Sequence, residues 1–221
     1  LAAGLYFFVK NPEKSENLDK GSFFDLLKIR QLWFILPLVL IHYAPVAGIR
    51  GLWIGPYIND NFYSASNLAF ATTAMSLAMI AGTFAYGPMD RLFGTRKWII
   101  FIGSSVSLVS LICLALLNEI SFGVSVILFC TLGFFGMSYP LMIAHGRSFA
   151  PENLTGRCVT LLNMFAIGGV GIFQFLTGRI FSKLTEGHNN NHEAYTIIFL
   201  FYASALFLGL ILYLKSKDRL D

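Results

Sequence analysis

Residues 87–97 read GPMDRLFGTRK, and they separate two long runs that suit oil better than water. Downstream, Trp98–Leu117 reads WIIFIGSSVSLVSLICLALL without one charged residue. Upstream, the run that begins at Ser64 has no charge before Asp90. A bilayer's hydrocarbon core, about 30 Å thick, is crossed by about 20 apolar residues in a helix. The stretch therefore reads as a short turn at a membrane surface, and its charge marks which surface.

The rest of the chain agrees. It has 221 residues, 56% hydrophobic and 13% charged, with 22 Phe. A soluble domain carries about 25% charged residues, so this composition cannot clothe a soluble surface. Six stretches are long and apolar enough to span: Leu32–Tyr57, Ser64–Met89, Trp98–Leu117, Phe122–Ala144, Cys158–Phe181 and Ala194–Leu214. The short alternating segments of a membrane barrel are missing, so the fold class is an all-α membrane protein with six transmembrane helices. Residues 32–221 form that domain. Residues 1–31 comprise the end of a preceding span (LAAGLYFFV), a polar linker and an interfacial helix, and the chain is expected to be a fragment. The interfacial helix is Ser22–Trp33, SFFDLLKIRQLW, with Ser22 as its cap and Asp25 in its first turn. Cys113, Cys130 and Cys158 show neither disulfide nor metal spacing and read as packing groups.

Charge sets the orientation. Lys10, Lys14, Lys20, Lys28, Arg30, Arg91, Arg96, Lys97, Arg147, Arg157, Lys215, Lys217 and Arg219 would all lie on one side, thirteen of the sixteen Lys and Arg. Only Arg179 and Lys183 stand near the opposite surface. The positive-inside rule makes the richer side cytoplasmic, with both ends there. The net charge of +4 is thus a topology signal, and no nucleic-acid partner is implied.

GPMDRLFGTRK resembles the signature loop of the major facilitator superfamily, G-x-x-x-D-R-x-G-R-K/R. It departs from it in two spacings: Gly87 stands three residues before Asp90, and Leu92 and Phe93 both precede Gly94. GLWIGPYI (Gly51–Ile58) resembles the end of the seventh helix in many bacterial members. The segment Ala144–Gly178 resembles their tenth-to-eleventh-helix region. The resemblance implies the C-terminal half of a twelve-helix transporter in the bacterial inner (plasma) membrane, its six helices arranged as a 3+3 inverted repeat. It implies a small-molecule solute, the lipid bilayer and the N-terminal half as partners, and allows a symporter with a proton as coupling ion. It also makes Asp90, Arg91, Gly94, Arg96 and Lys97 a conformational latch. Independently of that, Asp90 ends a helix, where the negative terminus disfavours a carboxylate. It should seek Arg91, Arg96 or the positive end of a neighbouring helix, and a plain topology anchor is the rival reading.

The candidate solute residues follow from polarity within spans. At 100° per residue, His42, Arg50, Trp53 and Tyr57 fall within an arc of about 80°. A charge inside a span marks function by default, although Arg50 could instead reach the outer interface. Tyr139 stands beside Pro140, where the fourth span can bend. Asn163 and Gln174 lie about 20° apart around the fifth span, placed for solute or for bonding between helices. The third and sixth spans are plainly apolar and suit lipid. No catalytic triad, metal cluster or phosphate-cradling loop is found in the sequence, so neither enzyme chemistry nor a cofactor is expected. The leading reading is a secondary active transporter of a small polar organic solute, an anionic one among the candidates, working by alternating access. A membrane sensor or scaffold on the same fold is the alternative.

The orientation is checked by cysteine labelling in intact cells. Asn189→Cys should react with an impermeant reagent from outside and Thr95→Cys only from inside; labelling of Thr95→Cys from outside would reverse the topology.

Overall fold

The computed structural model describes residues 22–117, 121–186 and 191–220. Six helical segments are long and apolar enough to cross a membrane: Arg30–Phe62, Ala65–Phe93, Lys97–Leu116, Phe122–Arg147, Glu152–Thr185 and His192–Tyr213. No strand occurs among the described residues. Each anticipated span is present, and four of the six run further than the apolar stretch alone suggested. The second is the clearest case. Its helix passes through Pro88 and stops only at Phe93, where Gly94 caps it with a φ of 64°. GPMDRLFGTRK is therefore mostly helix, and the turn itself is Gly94–Arg96.

The helix before the first span is also shorter than expected. Only Phe23–Leu26 is helical. The capping box is present: Ser22 Oγ accepts from the Phe24 N–H, and Asp25 reaches back to the Ser22 N–H at 2.7 Å. Trp33, assigned above to that helix, belongs to the first span and donates Nε1 to the Leu27 carbonyl at 2.7 Å.

The packing repeats itself. The second span packs on the fourth as the fifth packs on the first, the third packs on the fourth as the sixth packs on the first, and the third and sixth pack on each other. This is the partner scheme of two three-helix units related by a pseudo-two-fold, each exchanging its leading helix with the other. The detailed contacts follow it. A Cβ on Gly82 of the second span would strike the Phe134 carbonyl of the fourth, and a Cβ on Gly169 of the fifth would strike the Leu40 carbonyl of the first. Lipid gives helices no hydrophobic drive to associate, so close backbone approach at small residues supplies the contact energy.

The first and fourth spans are the irregular ones. The first holds Pro37, turns at Tyr43, restarts with Pro45 in its first turn, and then makes a π turn at Ile49–Trp53. The fourth breaks at Met137–Ser138, with Pro140 opening the next helix. Leu40 and Phe134 each stand three residues before their break, so the glycine contacts sit at equivalent levels of the two units. The first span is also the most enclosed, with 67% of its apolar window buried, against 17% for the second and 22% for the fifth.

Replacing Gly169 by Ala should push the fifth span off the first. The expected loss is about 1–3 kcal/mol, read as a lower melting temperature in detergent. Gly171→Ala, on an open face where nothing lies within 4 Å, should be neutral or mildly stabilising. Equal melting of the two variants would remove the close-approach argument.

Candidate functional site

The four polar residues of the first span do not share one face. His42 is 2% exposed and is held between two serines, with Nδ1 3.0 Å from Ser104 Oγ and Nε2 2.9 Å from Ser138 Oγ. It thus joins the first span to the third and to the break in the fourth. Trp53, also buried, donates Nε1 to Thr177 Oγ1 of the fifth span at 3.1 Å and packs on Phe181. Tyr57 meets Ser125 Oγ of the fourth span at 3.4 Å within a nest of Phe129, Tyr195 and Phe199. Arg50 alone is exposed. The reason is the π turn. An i→i+5 turn winds less angle per residue than an α turn, so the register of 100° per residue fails across Ile49–Trp53. Arg50, Gly51 and Leu52 come out of the core together, while Ile49 and Trp53 stay in it.

Arg50 leans on the second span. Its Nε donates to Ser76 Oγ at 2.8 Å, and Ser76 passes its own proton to the Thr72 carbonyl at 2.6 Å. The guanidinium edges a hollow of about 360 Å³ lined by Ser76, Met79, Ile80, Thr83 and Met137. A larger hollow of about 540 Å³ lies between the third and sixth spans, among Leu108, Ile112, Leu200 and Phe207. With so apolar a lining, that one offers a polar solute nothing to bind.

Tyr139 and Asn163 come together. Tyr139 donates its hydroxyl to Asn163 Oδ1, and Asn163 Nδ2 donates to the Val159 carbonyl at 3.0 Å. Tyr139 also stacks on Tyr43 of the first span, with ring centroids 5.4 Å apart and planes 28° apart. Gln174 lies beside the π turn, its Nε2 3.9 Å from where a Cβ on Gly51 would stand. Of the two amides of the fifth span, Asn163 thus meets the fourth span through Tyr139, and Gln174 meets the first at its π turn. Sequence reasoning missed Ser76 and Thr83 as members of this region. The seven-residue spacing of Ser76 and Thr83, two helical turns on one face, was the available signal.

The end of the bundle that holds the Gly94 turn is densely bonded. Asp90 and Arg96 form a buried ion pair across the Gly94 turn, with Nε donating to Oδ2 at 2.9 Å. Of the partners open to Asp90 in the sequence, Arg96 is the one it takes. The positive end of the third span is occupied by another carboxylate, Asp218 of the tail. It accepts the Arg96 and Lys97 N–H groups at 3.1 and 3.0 Å and the Thr95 hydroxyl. Lys97 reciprocates, donating Nζ to the carbonyls of Leu214 and Ser216 at 2.8 and 2.7 Å. Arg91 is exposed.

His145 completes this clasp. Its Nε2 is 2.9 Å from the Lys217 carbonyl and must donate there, which leaves Nδ1 to accept the Tyr213 hydroxyl at 2.7 Å. The Lys217 N–H in turn donates to Gln31 Oε1 at 3.0 Å. Partial burial acts against ionising Asp218, but the hydrogen bonds from Thr95, Lys97 and Arg96 outweigh it and hold its carboxyl below the usual carboxylate range. With the folded pKa depressed, the Asp218 contribution is present above the unfolded value of about 4 and is lost as pH falls through the lower folded value.

A family model described as Major Facilitator Superfamily matches residues 35–220. Comparison with curated proteins gives no match. Among solved structures, the xylose transporter XylE from E. coli, in its inward-open conformation, aligns with a TM-score of 0.67 at 20% identity. A structure described as a D-xylose-proton symporter aligns with 0.60 at 17%. Each match covers 89% of this chain, which spans about half, 49%, of theirs.

Asp218→Ala should lower stability by about 1 kcal/mol, the usual worth of a helix cap, and Asp218→Asn by less because its oxygen still accepts. The difference between Asp218→Ala and the parent should shrink in acid below about pH 4. Melting curves in detergent across pH check both; a difference that grows in acid would contradict the assigned charge state.

Proposed function

This chain belongs to the major facilitator superfamily, and from that premise we propose that it is the C-terminal half of a secondary active transporter moving a small polar, anionic organic solute by alternating access. The observation that carries the reading is Arg50. Arg stays protonated in proteins, and here it stands within a span, turned out of the core into a hollow, without a carboxylate partner among the described residues. A charge so placed needs a counter-ion from the other half or from the solute.

The bare second and fifth spans support an N-terminal half as partner. They are the least covered helices, and Leu77, Phe84, Ile167 and Phe175 on them are all more than half exposed. A second six-helix unit would cover such faces. The acidic residues Asp60, Asp90, Glu119, Glu152, Glu186 and Glu193 all stand at span ends or in loops. A coupling carboxylate therefore belongs in the N-terminal half, and a proton is the coupling ion this reading favours, as in the D-xylose-proton symporter that shares the fold. His42, the titratable group deep in the first span, is already bonded on both nitrogens. The location in the reading is the inner membrane, both ends cytoplasmic, and Asp90, Arg91, Gly94, Arg96 and Lys97 serve as the latch that releases between states.

Flux in proteoliposomes holding the intact protein tests this. Substrate accumulation should follow an imposed proton gradient, and Asp90→Asn should cut it on the order of tenfold with membrane expression retained. Binding without flux would favour a sensor, and unchanged flux in Asp90→Asn would reduce the loop to a topology anchor.

A further inference from the structure

The hollow beside Arg50 has a chemical asymmetry that narrows the solute. At one end the guanidinium is tied by Nε to Ser76, which leaves its two terminal nitrogens without a protein partner among the described residues. At the other end stands Thr83, whose hydroxyl proton goes to the Met79 carbonyl at 3.0 Å. Ser76 spends its proton in the same way on Thr72. Both oxygens therefore meet the hollow as acceptors. The wall between the two ends is apolar, formed by Met79, Ile80 and Met137.

We infer that this hollow binds a hydroxylated organic acid of about six carbons, its carboxylate on the Arg50 fork and a hydroxyl donating to Thr83 Oγ1. The inference rests on the transporter reading above and deepens it. Ser76 and Thr83 are seven residues apart in one helix, roughly 10 Å along its axis, which sets the length. The planar guanidinium pairs its terminal nitrogens with a carboxylate through two parallel bonds. A second cation in the solute, as in an amino acid, would be repelled by Arg50 and finds no carboxylate in the lining. A phosphate would bring up to two negative charges against one cation within the membrane, a poor balance where unpaired charge is costly. Hydroxyl groups suit acceptors that have no proton left to give. Ser76 is the positioning residue: it holds Nε so that the opposite edge of the guanidinium faces inward.

Three six-carbon probes separate the terms: gluconate (acid and hydroxyls), glucose (hydroxyls only) and hexanoate (acid only). Binding to the intact protein in detergent, measured by calorimetry and by melting shift, should favour gluconate over each of the others about tenfold or more. Arg50→Gln should erase the preference over glucose. Thr83→Val should reduce the preference over hexanoate about tenfold, and Thr83→Ser, which keeps the oxygen, should restore it. Equal binding of gluconate and glucose, or a gluconate-to-hexanoate ratio indifferent to Thr83→Val, would overturn the proposal, and the probe comparison on the parent protein decides even if a variant misfolds. The result is separable from the transporter reading. Gluconate binding without flux would sink alternating access alone; proton-driven flux of another solute, untouched by gluconate, would sink this assignment alone.

Discussion

Backbone N–H and C=O groups in the hydrocarbon core have no water to turn to, and each must be satisfied by the protein. The rest of the architecture follows from that constraint. Breaks in the helices are tolerable only where neighbouring protein or a water-filled cavity meets them, and here they gather in the first and fourth spans, at Tyr43, Ile49–Trp53 and Met137–Ser138. The third and sixth spans, apolar throughout, run without interruption. His42 shows how the breaks are held. It bonds Ser138, the residue at the break in the fourth span, and Ser104 in the unbroken third. One imidazole thus ties both irregular helices to a regular one, in a place where its own charge has no role.

The same constraint explains the clasp at the Gly94 turn. Two helix ends meet there, the positive start of the third span and the negative finish of the sixth. Asp218 answers the first and Lys97 answers the second, each residue being supplied by the element that carries the opposite terminus. Charges of this kind are favoured within the first or last turn of a helix. The arrangement is closed on itself, since moving the tail would expose the N–H groups and the carbonyls together. The pair Asp90–Arg96 sits against it with both side chains nearly buried, so separating those two would leave a poorly solvated charge on each. Any motion of the second span against the third has to contend with this bonded knot, which gives a latch a physical meaning beyond the resemblance.

The fold was legible because span length and loop charge are coarse signals that survive local irregularity. Six spans, the capping box at Ser22 and the acid partner of Arg96 all came from residue type and spacing. What failed was angular reasoning. Placing His42, Arg50, Trp53 and Tyr57 on one face assumed an unbroken α-helix, and a π turn carries no sequence signature that composition reveals. Pro45, Gly48, Gly51, Gly55 and Pro56 announced weakness in that helix without saying which way it would be wound. Asp218 was missed for a different reason. In a basic tail, KSKDRL reads as a topology signal with one acid in it, and only the third dimension brings that acid to another helix's N-terminus. The second span was taken to end at Met89 because charge begins at Asp90, whereas the helix runs on to Phe93; the N–H lost at Pro88 is tolerated in a helix closely packed on the fourth span.

The π turn is where these threads meet. It is the one place in a well-buried span where consecutive residues, Arg50, Gly51 and Leu52, leave the core. A regular helix would have carried Leu52 and Gly51 round toward neighbours on other sides and would have left Arg50 close to Trp53. The looser winding splits them: the indole is driven inward to Thr177, and the guanidinium is driven outward to Ser76. Gly51 then keeps the space between the turn and the Gln174 amide open. An irregularity with a cost in backbone bonding thus has a defined consequence, the delivery of one permanent charge to a hollow whose far wall accepts hydrogen bonds. A solute that paired with that charge would bridge the first and second spans, so its arrival and departure would act on the two helices that the knot at the Gly94 turn, through Gln31 and Asp90, also holds.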